Sequence, residues 1–333
     1  MKLLVGVGVA CVLMLGVAVW QVWGSWSSHA ATPGNVAADP RIGRGTRDGL
    51  QRPAAAPVAT NAVPAAPEAG PASSDASVHW PEDPQQADVL RRLDAARAAL
   101  RDDPDHERAL HDELAALAEL NRWPEAAQTL ARLQRLRPDD LDVAFDYAAV
   151  LLRLHRSVEA VALLNEVVAR QPEHARAWFN LAVAHQSLGH LEEARRAWNQ
   201  AITLKPTLPA YAQRGTVLLD LHEWAAAAAD FETVLKQQPD AADATLNLSL
   251  ALWRSGRGEE ARERLRTLLE RHPDHIPALN RLAEMAWGAY QASPAGDAVL
   301  RDEAFDCWRR SLRADATQSE IQARLAEAQA PAP

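Results

Sequence analysis

The chain opens with a continuous apolar run over residues 3–23, in which Gln21 is the only strongly polar side chain. A helix of 21 residues rises about 30 Å, which matches the hydrocarbon core of a bilayer. Trp20, Trp23 and Trp26 lie where an aromatic belt meets the membrane interface. The pattern therefore predicts one transmembrane or signal-anchor segment over residues 1–26.

The flanking charges predict the orientation of this segment. Lys2 and the α-amine precede the apolar run, and no Lys or Arg follows before Arg41. Basic flanks stay in the cytoplasm, so we expect a single-pass inner-membrane protein with its C-terminal domain in the periplasm. The alternative is a signal peptide cleaved near Ala30, which would release a soluble periplasmic protein. Cleavable apolar runs are shorter, about 7–15 residues, so the anchor is favoured.

Residues 27–82 are rich in Ala, Pro, Gly and Ser, and no apolar period runs through them. A segment of this composition cannot bury enough apolar surface to offset the entropy of ordering it. We therefore predict a flexible linker, with a root-mean-square reach of about 40 Å.

From residue 83 onward, apolar residues recur at helical spacing, and prolines divide the chain into units of nearly constant length. The prolines are Pro104, Pro138, Pro172, Pro206, Pro239 and Pro273, in steps of 34, 34, 34, 33 and 34 residues. A period near 34 residues is typical of arrays of helix-turn-helix units. The pattern predicts an all-α solenoid of antiparallel helix pairs.

The residues inside the units carry a family resemblance, most clearly over residues 175–207. The matching positions there are Trp178, Leu181, Ala182, Gly189, Ala194, Trp198, Ala201 and Pro206. These positions resemble the tetratricopeptide-repeat (TPR) family. The small residue of the second helix recurs as Ala126, Ala160, Ala194, Ala227 and Ala261, and a large apolar residue follows each of them four positions later. The resemblance implies a superhelical solenoid.

The same comparison divides the TPR domain, residues 83–330, into units. We expect a capping helix at 83–101, five repeats over about 107–275, a sixth repeat at 276–316, and a last helix at 317–329. Nine extra residues in the sixth unit predict an expanded turn, and Thr317 with Glu320 predicts a capping box. The first helices should end at residues that tolerate a positive φ. These are Asn121, His155, Gly189, His222 and Gly256.

Composition and motifs argue against several classes of function. A net charge of −9 makes nucleic acid an unfavourable partner. Cys11 and Cys307 lie in different segments and form no disulfide framework, and Cys307 is most simply a small core residue. His272 and His275 lack a third metal ligand. No phosphate-binding loop, nucleophile elbow or zinc-protease motif occurs, so we predict no enzyme, no cofactor and no metal.

The resemblance implies that first helices line a concave groove in which a peptide or a partner helix lies. Asn180 and Asn247 share the repeat position at which family members bond a peptide backbone. Phe179, Leu246 and Trp253 are among the apolar contacts expected there. The projected groove residues are Arg108, Phe145, Arg176, Phe179, Asn180, Val183, Gln213, Leu246, Asn247, Leu250, Trp253, Arg281 and Trp287.

These features predict a membrane-tethered scaffold or assembly factor that binds a protein or peptide client. A narrower alternative is a cytochrome c maturation factor that holds an apocytochrome, because membrane-anchored TPR modules do so in some bacteria. Self-association into a homo-oligomer is left open by the sequence.

Overall fold

The computed structural model describes residues 84–293 and 296–329, and all regular structure in these two ranges is α-helical. The predicted transmembrane segment, residues 1–26, and the predicted linker, residues 27–82, lie outside the described residues. No helix within the described ranges has both the length and the apolar character that crossing a membrane requires.

Fourteen helices follow one another in the described residues. A capping helix, α1, comes first, six antiparallel pairs follow as units one to six, and α14 closes the array. The bounds are α1 Pro84–Asp102, α2 Glu107–Glu119, α3 Trp123–Leu136, α4 Leu141–Arg153, α5 Ser157–Arg170, α6 Ala175–Ser187, α7 Leu191–Leu204, α8 Leu208–Asp220, α9 Trp224–Gln237, α10 Ala242–Arg254, α11 Gly258–Arg271, α12 Ile276–Ala292, α13 Ala298–Ala314 and α14 Ser319–Gln329.

Each helix packs against the helices before and after it in the chain, which is the contact pattern of a solenoid. First helices of consecutive units also touch, as α4 does with α6, α8 with α10 and α10 with α12. Second helices of consecutive units make no comparable contact in the described part of the chain. The array therefore curves with its first helices on the inner side. The predicted all-α TPR solenoid is confirmed.

Small residues allow the close approach of each helix pair. Ala160, Ala194 and Ala227 are completely buried, and so are the large residues Leu164 and Trp198, which follow the first two by four positions. A side chain without atoms beyond Cβ lets two helix axes come close, and the larger neighbour fills the adjacent space. The predicted alternation of small and large residues is thus the core of the array.

The connections inside the units use the predicted left-handed residues. The φ angles are 56° at Asn121, 58° at His155, 61° at His222, 72° at Gly189 and 86° at Gly256. In each case the next residue donates its N–H to a carbonyl five positions earlier, with N–O distances of 2.8–2.9 Å. This bond closes a Schellman motif and satisfies a carbonyl at the end of the first helix. The prediction is confirmed at all five positions.

Histidines begin three of the first helices, which the sequence pattern did not indicate. The Nδ1 atoms of His106, His174 and His275 accept N–H bonds from residues three positions later, at 3.2, 3.0 and 3.3 Å. Each histidine lies two residues after the proline that ends the preceding unit. Standard N-cap preferences name Ser, Thr, Asp and Asn, so this role was missed.

The extra residues of the sixth unit lengthen its two helices more than the turn that was expected to contain them. Helices α12 and α13 each have 17 residues, whereas the first and second helices of units two to five have 13 and 14. Five residues connect the pair, instead of three. The extra length therefore goes mainly into the helices. The Trp287 ring centre lies 5.1 Å from that of Tyr290 on the same helix and 5.7 Å from that of Phe305 on α13, so aromatic stacking joins the two helices of this unit.

The predicted capping box at Thr317 and Glu320 is wrong. The Thr317 hydroxyl donates to Asp315 at 2.6 Å, and Glu320 accepts from Arg324 at 3.0 Å. Helix α14 begins at Ser319, two residues later than expected. The Gln318 amide attaches it to unit six by donating to the Ser311 carbonyl at 3.1 Å.

We expect the substitution Ala194→Leu to destabilise the array by about 1–3 kcal/mol, because the added atoms would separate two helices that are in contact. The measurement is the free energy of unfolding by urea. Ala226→Leu, at an exposed position of α9, is the matched control and should change stability by less than about 0.5 kcal/mol. Equal effects of the two substitutions would contradict the packing argument.

Candidate peptide-binding groove

The inner surface of the first helices, α2, α4, α6, α8, α10 and α12, is called the groove below. Side chains at the predicted positions meet across neighbouring first helices. Asp146 on α4 interacts electrostatically with Arg176 on α6, and Arg281 on α12 with Arg254 on α10. Between α6 and α8, the amide of Gln186 bonds to that of Gln213 at 3.4 Å. Three of the predicted residues, Arg176, Gln213 and Arg281, therefore interact with a side chain of a neighbouring first helix.

The predicted groove residues differ in how much surface they offer. Phe145 is only 4% exposed and supports its neighbours, with the Arg176 guanidinium 5.0 Å from its ring centre. Arg108 and Trp253 are exposed, and Phe145 and Asn180 are buried. The half-buried members are Arg176, Phe179, Val183, Gln213, Leu246, Asn247, Leu250, Arg281 and Trp287.

Two amides lie at the same repeat position, eight residues after the proline that precedes each unit. They belong to Asn180 in unit three and Asn247 in unit five. Asn180 is 7% exposed, and neither amide bonds to another described side chain or backbone group. Because no described group engages them, both amides can bond a bound chain.

Arg214 takes the same position in unit four, but it is satisfied within the array. Its guanidinium forms a bidentate pair with Asp230 at 2.8 and 2.6 Å, and a further bond reaches Asn199 at 2.9 Å. Asp230 is 4% exposed, so the pair is shielded from water. Arg214 therefore holds unit four together and leaves no donor pair directed at a ligand.

Asp146 takes the position in unit two, where its carboxyl is buried. Its Oδ1 has no partner in the described residues. Burial raises the pKa of Asp146 to about 7; Arg176 opposes that rise, while Asp142 and Asp140 add to it. Near neutral pH this carboxyl is only partly ionised, because the protein supplies too little compensation for its charge.

The far end of the groove combines an exposed aromatic ring with two arginines. Trp253 is 38% exposed, and the Arg254 guanidinium lies 5.2 Å from its ring centre. Burial lowers the pKa of Arg281, and its Nη1 is buried without a hydrogen-bond partner among the described residues. Glu284 attracts Arg281 electrostatically, but its carboxylate is shared with Arg324, at 3.0 Å.

Two other kinds of site, a metal site and a reactive thiol, are not formed within the described ranges. No three His, Cys, Asp or Glu side chains lie close enough together there to hold a metal ion. Burial raises the pKa of the Cys307 thiol to about 12, which leaves it unreactive and agrees with its predicted core role. An open pocket that the sequence did not indicate lies between α12, α13 and α14, and is lined by Tyr290, Arg301, Asp302, Phe305, Arg309, Ala328 and Gln329.

The family comparison agrees with this architecture. The tetratricopeptide-repeat model matches residues 145–209, 213–276 and 250–293. Together with the period of the prolines and the left-handed turns, these matches identify the helix pairs of this region as tetratricopeptide repeats.

Two curated relatives each match part of the chain. Protein FlbA of Caulobacter vibrioides is 34% identical over 185 residues, which cover 53% of this chain and 30% of FlbA. Tetratricopeptide repeat protein 33 of Mus musculus is 35% identical over 100 residues, covering 30% of this chain and 38% of that protein. The chain thus spans about a third of the length of these relatives.

Among solved structures, YrrB is similar in fold, with a TM-score of 0.51 and 16% identity. The match covers 60% of this chain and 98% of YrrB, which is described as a TPR protein with an unusual peptide-binding site. At this level of identity the likeness concerns the fold alone.

We expect Asp146→Asn to remove a pH-dependent loss of stability. The folded-state pKa of Asp146 lies above its unfolded-state value of about 3.9. The stability that protonated Asp146 contributes is therefore present below pH 4 and is lost as the pH rises to about 7. The loss is on the order of 4 kcal/mol. The variant should gain stability relative to the natural protein between pH 4 and pH 8, as urea unfolding would measure.

The matched control for this prediction is Asp274→Asn, which changes an exposed aspartate in the connection before α12. Its stability difference from the natural protein should stay constant over the same pH range. If Asp146→Asn shows an equally constant difference, the buried carboxyl is not the source of the pH dependence.

Proposed function

We propose that this protein is an interaction scaffold or assembly factor that binds a client polypeptide along the groove. The observation that carries the proposal is the pair of amides without a partner among the described residues, Asn180 and Asn247, at equivalent repeat positions, together with the exposed ring of Trp253. Polar groups repeated at the spacing of the units suit a ligand whose own polar groups repeat, and a polypeptide backbone is such a ligand.

Binding would use two kinds of contact. The amides of Asn180 and Asn247 bond backbone groups of the client, which gives affinity without dependence on its sequence. Leu246, Leu250 and Trp253 offer half-buried or exposed apolar surface on α10, where client side chains can be removed from water. Aromatic and arginine side chains commonly contribute most of the binding energy at such surfaces.

The comparisons support the general class of this activity. The YrrB structure shares the fold and is described as having a peptide-binding site. Another relative, 26% identical over 125 residues, is the Hsp70-Hsp90 organizing protein of Triticum aestivum, whose name describes an organiser of other proteins. No described residue favours the narrower expectation of cytochrome c maturation, so the proposal does not include it.

We also propose that the scaffold is tethered to the inner membrane by residues 1–26, with the repeats in the periplasm. The apolar run of 21 residues, the following tryptophans and the position of Lys2 support this placement. A tether would confine the groove to a layer near the membrane and raise the local concentration of membrane-associated clients.

A photoreactive residue at Trp253 should crosslink a client polypeptide in intact cells, because this ring is exposed on the groove. The crosslinked products are identified by mass spectrometry. A second probe at Val158, which is 69% exposed on the second helix α5, is the matched control and should capture much less of the same client. Capture of equal amounts at both positions, or only of lipid at Trp253, would count against groove binding.

The tether predicts that the full-length protein remains in the membrane pellet after alkaline carbonate extraction. In spheroplasts, added protease should degrade the repeats while intact cells protect them. Release of a protein that begins near Ala31 would instead support the cleaved-signal alternative. Protection of the repeats in spheroplasts would contradict the proposed orientation.

A further inference from the structure

One repeat position changes its chemistry progressively along the groove. It lies eight residues after the proline that precedes each unit, in the wall formed by the first helices. From unit one to unit six the residues are Asp112, Asp146, Asn180, Arg214, Asn247 and Arg281. Carboxylates thus come first, amides lie at units three and five, and a guanidinium comes last. Arg214 is neutralised by Asp230, which leaves the two ends with opposite charge.

At the unit-two end, the Asp146 carboxylate lacks the partners that would satisfy it. Asp146 is 9% exposed. Among the described residues, the cation that acts on it from a neighbouring helix is Arg176, which also lies over the Phe145 ring. Asp140 is engaged by the N–H groups that begin α4. A cationic donor from a ligand would provide both the charge and the hydrogen bond that this carboxylate lacks.

At the unit-six end, the unsatisfied group has the opposite sign. The Arg281 guanidinium has a buried Nη1 without a partner, and Arg254 repels it electrostatically. The nearby carboxylate of Glu284 is bonded to Arg324 on α14. A ligand carboxylate would complete the hydrogen bonds of Arg281 and compensate both arginines.

The distance between the two ends sets the length of a matching ligand. Neighbouring first helices in contact have axes about 8–10 Å apart, so four steps from unit two to unit six span roughly 32–40 Å. An extended chain advances about 3.3 Å per residue, so about 10–12 residues separate the two contacts.

We propose that the groove selects client segments that carry a basic residue for Asp146 and an acidic residue for Arg281, about 10–12 residues apart. This inference rests on the proposed function and specifies the chemistry of the client. The arrangement also fixes the direction in which the segment lies, because a reversed segment would place like charges at both ends.

The test uses the full-length protein and synthetic peptides, with binding measured by fluorescence anisotropy. The dipolar probe has two lysines near one end and two glutamates near the other, separated by a neutral spacer of about 11 residues. A second probe carries the same groups in reversed order. In the neutral probe all four charged residues are glutamine. One of the two dipolar probes should bind at least about tenfold more tightly than the neutral one.

Two variants locate the charged contacts. Asp146→Asn should abolish the gain in affinity that the lysines of the probe give and keep the gain that its glutamates give. Arg281→Gln should abolish the gain from the glutamates and keep the gain from the lysines. Asp274→Asn and Arg313→Gln, at exposed positions outside the groove, are the matched controls and should leave all affinities unchanged. Circular dichroism of each variant verifies that the helices are retained. Equal affinity for dipolar and neutral probes, binding of neither, or no effect of Asp146→Asn would overturn the inference.

Crosslinking separates this inference from the proposed function. If the probe at Trp253 captures a client but the captured segment carries no acidic residue near that site, the charge selection is wrong while the scaffold function stands. If no polypeptide is captured at Trp253, the scaffold function itself loses its support.

Discussion

The close approach of paired helices at small residues is the constraint on which the rest of the structure depends. Ala126, Ala160, Ala194, Ala227 and Ala261 are completely buried. Because alanine has no atoms beyond Cβ, each second helix can lie against its first helix and still reach the next unit. Units that contact only their neighbours form a solenoid rather than a closed globule. The inner face of the first helices therefore stays open.

This open face tolerates polar groups that a closed core would exclude. Asp146 and Asn180 are both less than a tenth exposed, and the Oδ1 atom of Asp146 has no hydrogen-bond partner among the described residues. Such groups reduce the stability of the folded protein. Their recurrence at one position of the repeat favours a role in binding over a role in packing, since sites that break local rules of stability are often functional.

The sequence predicted the helix pairs and their turns well, and it predicted the ends of the array less well. The left-handed turns at Asn121, His155 and His222 followed from the residue type and the period. In unit six the connection is longer than in the other units, but most of the added residues extend α12 and α13, where Trp287 stacks on Phe305. The capping box was wrong because Asp315 binds the hydroxyl of Thr317.

By itself, the sequence determined the fold class, the length of the unit and the face that each helix buries. These properties follow from local spacing, which repeats every 34 residues or nearly so. Only the tertiary structure decided which groove residues remain unsatisfied. Arg214 and Arg281 occupy the same repeat position, yet Arg214 is neutralised by Asp230 on α9, whereas the carboxylate nearest to Arg281 is held by Arg324 on α14. Charge pairing depends on side chains that distant segments bring together, and no local period encodes it.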